Sequence, residues 1–176
     1  MGFAALTPYT VINSANPSRI ISGIQMEKEH RISAAAIIIQ NNKILLVRYR
    51  DSSGGSFLVG PGGGTLSHEG INQTVIREVQ EETGLTINPL KILIVEDLLS
   101  LQSRMVKIWF LCEIIGGELN YTQGAKEEGI IEVGWYRKEQ LKKETVYPSP
   151  VMSNDWDSFS SAGWKTMYLE LKQADF

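Results

Sequence analysis

The chain is best entered at Gly60-Pro61-Gly62-Gly63-Gly64-Thr65-Leu66-Ser67-His68-Glu69-Gly70-Ile71-Asn72-Gln73-Thr74-Val75-Ile76-Arg77-Glu78-Val79-Gln80-Glu81-Glu82-Thr83-Gly84-Leu85. The glycine run reads as a loop whose backbone can approach a ligand closely. Ile71 to Thr83 reads as a helix, and Gly84 stands where a left-handed C′ residue belongs. At ~100° per residue, with Glu78 at zero, Glu82 falls near ~40° and Glu81 near ~−60°, while Ile71, Val75 and Val79 fall near ~20°, ~60° and ~100°. The apolar stripe therefore runs beside a ridge of carboxylates. Such a helix can lie on a sheet while three glutamates follow one of its edges, bordering the solvent, with Glu78 and Glu82 one turn apart.

Carboxylates at that spacing repel one another unless a cation sits among them. An isolated Glu-Glu pair is ordinarily a solvated acidic face. Two features point to a site instead. The cluster lies in the C-terminal half of its helix, where the macrodipole disfavours negative charge, and a glycine loop precedes it. Oxygen-only ligands select a hard cation, Mg2+ or Mn2+, over zinc. The loop is not a phosphate-binding Walker loop, since no Gly-Lys-Ser/Thr follows. It is not the dinucleotide fingerprint either, since Thr65 holds the third glycine position.

Outward from this segment, strands dominate. Ser33–Ile39 and Ile44–Arg48 flank a polar turn at Gln40–Lys43, and Phe57–Val59 leads into the glycines. Ile87–Leu99, Arg104–Ile115 and Ile130–Tyr136 read as further strands, Lys138–Lys143 as a short helix, and Trp164–Lys172 as a final helix. The mixture predicts an α/β or α+β layered domain over residues 27–176. Between Met1 and Met26 the single charge is Arg19, and Pro, Asn, Ser and Thr interrupt the apolar residues. Residues 1–26 are therefore expected to be a poorly ordered extension, with a docked N-terminal strand as the competing reading. That segment matches neither a secretory signal nor a myristoylation pattern.

The chain has 176 residues and a formal net charge of −3, which argues against duplex nucleic acid as the main partner. A single cysteine, Cys112, excludes an intrachain disulfide and a multi-cysteine zinc site. The longest apolar run, Ala34–Ile39, is far too short to span a membrane. A cytoplasmic protein is expected.

Taken together, Gly63, Glu69, Arg77, Glu78, Val79, Glu81, Glu82, Gly84 and Leu85 resemble the Nudix box, the signature of the Nudix hydrolases, with every spacing met. That many coincidences arise by chance with a probability on the order of 10⁻⁷ per chain, from average residue frequencies. Phe57–Gly62 and Trp135-Tyr136 look like family features too, so the resemblance extends from about His30 to Leu141. It implies an α/β/α sandwich around a mixed β-sheet. It also implies Mg2+- or Mn2+-dependent hydrolysis of a diphosphate linked to another moiety, usually a nucleoside. On this resemblance Glu78 and Glu82 are metal ligands, Glu81 is a further ligand or binds through water, and the backbone carbonyl near Gly62–Gly63 completes the site. Arg77 orients Glu78, and Glu69 pairs with Arg77. One local departure is His68, where many members place a glycine before the first box glutamate.

The box does not name the general base. In several family members a glutamate in a loop outside it acts as base or binds a further metal. The matching loop here is Gly124–Gly129, with Glu128 the first candidate and Glu127 the second. Arg48, Tyr49 and Arg50 suit a phosphate-bearing substrate. Trp156, Phe159 and Trp164 are read as core or dimer residues before base-stacking ones. No proline stands at the places where ADP-ribose enzymes often carry one, which Ser100 and Leu101 occupy. A nucleoside triphosphate is thus the favoured substrate. The alternatives are ADP-ribose, a nucleotide sugar or a dinucleoside polyphosphate, and, in a different class, a nucleotide-binding regulatory module on the same fold. A homodimer is compatible with the sequence.

Overall fold

The computed structural model describes residues 28–51, 53–100 and 103–174. The predicted extension, residues 1–26, lies outside the described residues. The fold is built around β1 (Glu29–Gln40), whose run Ala34–Ile38 is buried on both faces. Continuous apolarity, rather than alternation, marks a strand covered on two sides. Ala34, Ala36 and Ile38 face one core cluster, and Ala35 and Ile37 face the other.

β1 turns through Asn41 and Asn42, both at positive φ, into antiparallel β2 (Lys43–Arg50). Asparagine tolerates that region, and the mirror-type turn matches the twist of a hairpin. β3 (Ser56–Val59) lies antiparallel on β2, and β4 (Gly62–Gly64) pairs with β1 at Ser33–Ala35. The glycine run expected as a loop thus enters the sheet. α1 spans Ile71–Thr83, as predicted, and packs Val75 and Val79 onto the Ala34–Ala36–Ile38 face. Gly84 closes it at φ 75°, donating its N–H to the Gln80 carbonyl at 2.9 Å.

β5 (Leu85–Leu99) and β6 (Ser103–Gly117) form a long antiparallel pair, and β6 runs parallel to β1. After α2 (Gln123–Glu127), β7 (Ile130–Tyr136) returns to pair with β2. A 3₁₀ turn at Lys138–Lys143 leads to β8 (Val146–Tyr147) on β3, then to α3 (Pro150–Ser153) and α4 (Trp156–Ser160). The strand order β8-β3-β2-β1-β6-β5-β9, with β4 and β7 attached to β1 and β2, makes one mixed, curled α+β sheet.

The tail corrects the sequence reading. The helix expected over Trp164–Lys172 is a strand, β9 (Met167–Gln173), parallel to β5. Met167, Leu169 and Leu171 alternate with Tyr168, Glu170 and Lys172, a period of two that suits a sheet edge. Trp164 Nε1 and Thr166 Oγ1 donate to the carbonyls of Leu93 and Ile92 at 3.3 and 3.0 Å and lay the tail against β5. Trp156 and Phe159 are buried, and Trp164 meets Phe159 edge-on at 4.8 Å, so the tail aromatics belong to the core.

Candidate active site

α1 lies on β1 and β4, which brings the C-terminal half of its carboxylate ridge against the glycines. Glu78 and Glu82 are buried, Glu82 completely, contrary to the expectation that both border the solvent. The physical reason is β4. A backbone without side chains lets the helix settle into direct contact, and a Cβ at Gly63 would stand 2.5 Å from Glu78 Oε1. Glu82 Oε2 accepts the Gly62 N–H at 2.9 Å, and Glu82 Oε1 accepts the Tyr49 hydroxyl at 3.1 Å. The Gly63 carbonyl accepts the Ser33 hydroxyl at 2.8 Å.

Arg77 is the tie of the site. Its Nε donates to Glu69 Oε1 at 2.6 Å and its Nη2 to Glu69 Oε2 at 3.0 Å, a forked pair. Nη1 lies 2.9 Å from both Glu78 Oε1 and Glu81 Oε2, and Nη2 also reaches the Gly64 carbonyl at 3.1 Å. Glu69 further accepts from Thr74 Oγ1 at 3.1 Å. One guanidinium therefore holds the loop, Glu69, Glu78 and Glu81 in register.

α2 completes the cluster. Its N-cap Thr122 accepts from Ala125 N at 3.0 Å and donates to the Glu81 carbonyl, which fastens α2 to α1. Glu128 then converges with Glu78 and Glu81, one oxygen from each lying within 4.8 Å of the others. Glu127 is turned back along α2, accepting from Gln123 Nε2 at 3.0 Å. Burial pushes the Glu82 carboxyl well above the usual carboxylate range, and the charges of Glu128 and Glu78 push it further. Burial likewise raises Glu78, against the pull of Arg77. Oxygen-only donors, crowded and out of water, in a cradle that a side chain at Gly63 would fill, fit a hard divalent cation.

The three residues expected to meet substrate separate by strand parity. Tyr49 faces the site through Glu82, and burial raises its hydroxyl pKa, helped by the charge of Glu82. Its ring stacks on Phe57 at 5.7 Å, and Phe57 meets Tyr147 edge-on at 5.8 Å. Arg48 is spent elsewhere, paired with Glu132 at 2.8 Å and Glu144 at 2.9 Å. Arg50 is exposed at the strand end.

The sequence reading missed a set on β5, β6 and β9. Buried Glu96 accepts from Trp109 Nε1 at 3.0 Å and pairs with Lys172 of β9. Lys107, opposite Glu96 on β6, holds its ammonium 4.7 Å from the Trp109 ring centroid. The available signal was Lys107-x-Trp109 on one face of an otherwise apolar strand.

The pattern of the NUDIX domain matches residues 29–154. An ADP-ribose pyrophosphatase of Methanocaldococcus jannaschii is 33% identical over 123 residues, 65% of this chain and 69% of that protein. The 8-oxo-dGDP phosphatase NUDT18 of Danio rerio is 31% identical over 136 residues, 76% of this chain; this chain spans only 38% of its length. Among solved structures, an ADP-ribose pyrophosphatase of Streptococcus suis superposes with a TM-score of 0.59 at 21% identity, covering 78% of this chain and 98% of its own. A Nudix hydrolase of Nitrosomonas europaea gives 0.63 at 16%, covering 84% and 81%. At these identities the structures show a shared fold.

Proposed function

Since the chain belongs to the Nudix hydrolase family, we propose that it cleaves the diphosphate linkage of a nucleoside diphosphate or nucleoside diphosphate derivative with the help of Mg2+ or Mn2+. The observation that carries this reading is the convergence of Glu78, Glu81 and Glu128, with buried Glu82 beside them. Glu78, Glu81 and Glu82, with the backbone at Gly63, are the residues that would hold the cation, and Glu128 stands beside them. When bound, it neutralises carboxylates and diphosphate together and makes water a stronger acid.

The chain's own residues do the rest. Arg77, held by Glu69, fixes the directions of Glu78 and Glu81, so the carboxylates need no reorganisation as the reaction proceeds. Glu128, exposed at the end of α2, takes the proton from the attacking water. Tyr49, Phe57 and Tyr147 offer an aromatic row beside Glu82 for the base or aglycone. The substrate class is supported by the names of two relatives, ADP-ribose pyrophosphatase and 8-oxo-dGDP phosphatase, which share a nucleoside diphosphate unit.

The test is a panel of nucleoside diphosphates, nucleoside diphosphate conjugates and nucleoside triphosphates, each with Mg2+ and with chelator, with products identified. Mg2+-dependent release of a nucleoside monophosphate from a diphosphate compound is expected. Release of pyrophosphate from triphosphates alone would return the substrate to the class favoured by the sequence. Turnover unaffected by chelator would overturn the metal reading.

A further inference from the structure

A polyanion entering a ring of carboxylates needs a cation from the protein; Arg31 beside Gly64, Arg50 and Lys126 are exposed side chains, and the less exposed cations near the site are mostly committed. Arg77 is committed to Glu69, Glu78, Glu81 and the Gly64 carbonyl. Arg48 is committed to Glu132 and Glu144. Lys172 is committed to Glu96. Lys107 makes no ion pair within 4 Å among the described residues, although its ammonium feels the charges of Glu82, Glu96 and Glu78.

Its placement is built. In the β1/β6 register Lys107 stands beside Ser33, whose hydroxyl holds the Gly63 carbonyl, so the lysine is one strand away from the glycines that touch Glu78 and Glu82. Trp109 lies two residues on, under the ammonium at 4.7 Å, and Glu96 fixes that ring through its indole N–H. Half-buried, one strand from the glycines and over a ring held by Glu96, Lys107 is an ammonium that is partly desolvated and has no ion pair among the described residues. An aromatic face attracts a cation yet leaves its N–H donors free, which suits a group that must wait for a ligand.

We propose that Lys107 binds the substrate's diphosphate oxygens on the side of the site away from Arg77, and so sets affinity for the ground state. This rests on the diphosphate reading above and names the residue that supplies its positive charge. The geometry also gives β9 a part, since Lys172 pairs with the Glu96 carboxylate that steadies Trp109.

The experiment measures equilibrium binding of α,β-methylene-ADP, a non-cleaved nucleoside diphosphonate, to the full chain, the Lys107→Met variant and the Lys107→Arg variant. Each is measured with Mg2+ and with chelator, and the Mg2+-dependent rise in Tm is recorded for each. Loss of one charge-assisted contact weakens probe binding by about 10- to 100-fold in Lys107→Met. Lys107→Arg restores most of that loss, and the Mg2+-dependent rise in Tm persists in both variants. In turnover, Lys107→Met raises KM more than it lowers kcat. Lys107→Met binding the probe as tightly as the wild type overturns the proposal, as does abolition of its Mg2+ response, which would make Lys107 a support of the carboxylates. Wild-type protein whose probe binding ignores Mg2+ overturns the metal reading instead. Wild-type protein that does not bind the probe under either condition overturns both.

Discussion

Glu82 is completely buried, yet both of its oxygens keep a donor, Gly62 N–H on one and the Tyr49 hydroxyl on the other. Glutamine can keep the acceptor toward Gly62 while removing the charge that burial disfavours. Glu82→Gln is therefore expected to fold, with a Tm in chelator no lower than the wild type's. Its kcat should fall by about 10³-fold or more, since a charged ligand to the cation supplies several kcal/mol. In wild-type protein, Mg2+ at 100 times its Kd adds about 2.7 kcal/mol, a rise of about 5–11 °C for a chain of this size, and the variant should lose most of it. Differential scanning calorimetry with and without Mg2+ reads both effects. Glu69 gives a pH signature. Its hydrogen bonds from Arg77 lower its carboxyl from 4.5 to about 2. A carboxyl depressed in the folded state stabilises fully above the ordinary carboxylate range and loses that contribution as pH falls toward 2. Thermal melts from pH 5 to 2 should thus fall more gently for Glu69→Gln than for wild type, starting from a lower Tm. Parallel curves would show that the Arg77 fork adds nothing to stability.

At the scale of elements, α1 was legible to the residue because its signals are local. Apolar spacing, a glycine loop before it and Gly84 after it all lie within one short segment. Gly84 combines φ 75° with close neighbours; a Cβ there would overlap Asn120 Nδ2 and stand 2.7 Å from the Glu118 carbonyl. Gly84→Ala should therefore cost more than the about 1–2 kcal/mol of left-handed strain alone, seen as a lower urea midpoint at unchanged slope. β9 was misread because its period-two alternation over Met167–Lys172 is short and its partner is remote, so the pattern alone does not say that β5 offers an edge there. The same limit hid Lys107 and Glu96, which meet only through the β5/β6 register. The α2 loop was read from its acidity and glycines, while the placement of Glu128 against Glu78 came from Thr122 fastening α2 to α1. Glu128→Gln should lower kcat by about 10²–10⁴-fold, the range of a lost acid–base group. Glu127→Gln should be nearly silent, since among the described residues Glu127 bonds only along its own helix. Equal effects of the two substitutions would remove the assignment of the base.

For the whole molecule, the described structure begins its sheet at Glu29, which pairs at once with Ser103. Deleting residues 1–25 removes no described element, and the shortened chain should match full-length protein in Tm and kcat; a loss of either would give that segment a part in the fold. The pairing of β1 has another consequence, for synthesis of the chain. Glu29 lies opposite Ser103 and Ile38 opposite Cys112, a constant separation of 74 residues. The apolar stretch that both core clusters share leaves the ribosome long before its parallel partner exists. At about 5–20 residues per second, Ala34–Ile39 waits roughly 4–15 s with one edge open, protected on the other only by the strands that follow it closely in the sequence. Nascent chains halted between Gly84 and Ser103 should therefore recruit chaperones through that segment, and chains halted far enough past Gly117 for β6 to clear the exit tunnel should not.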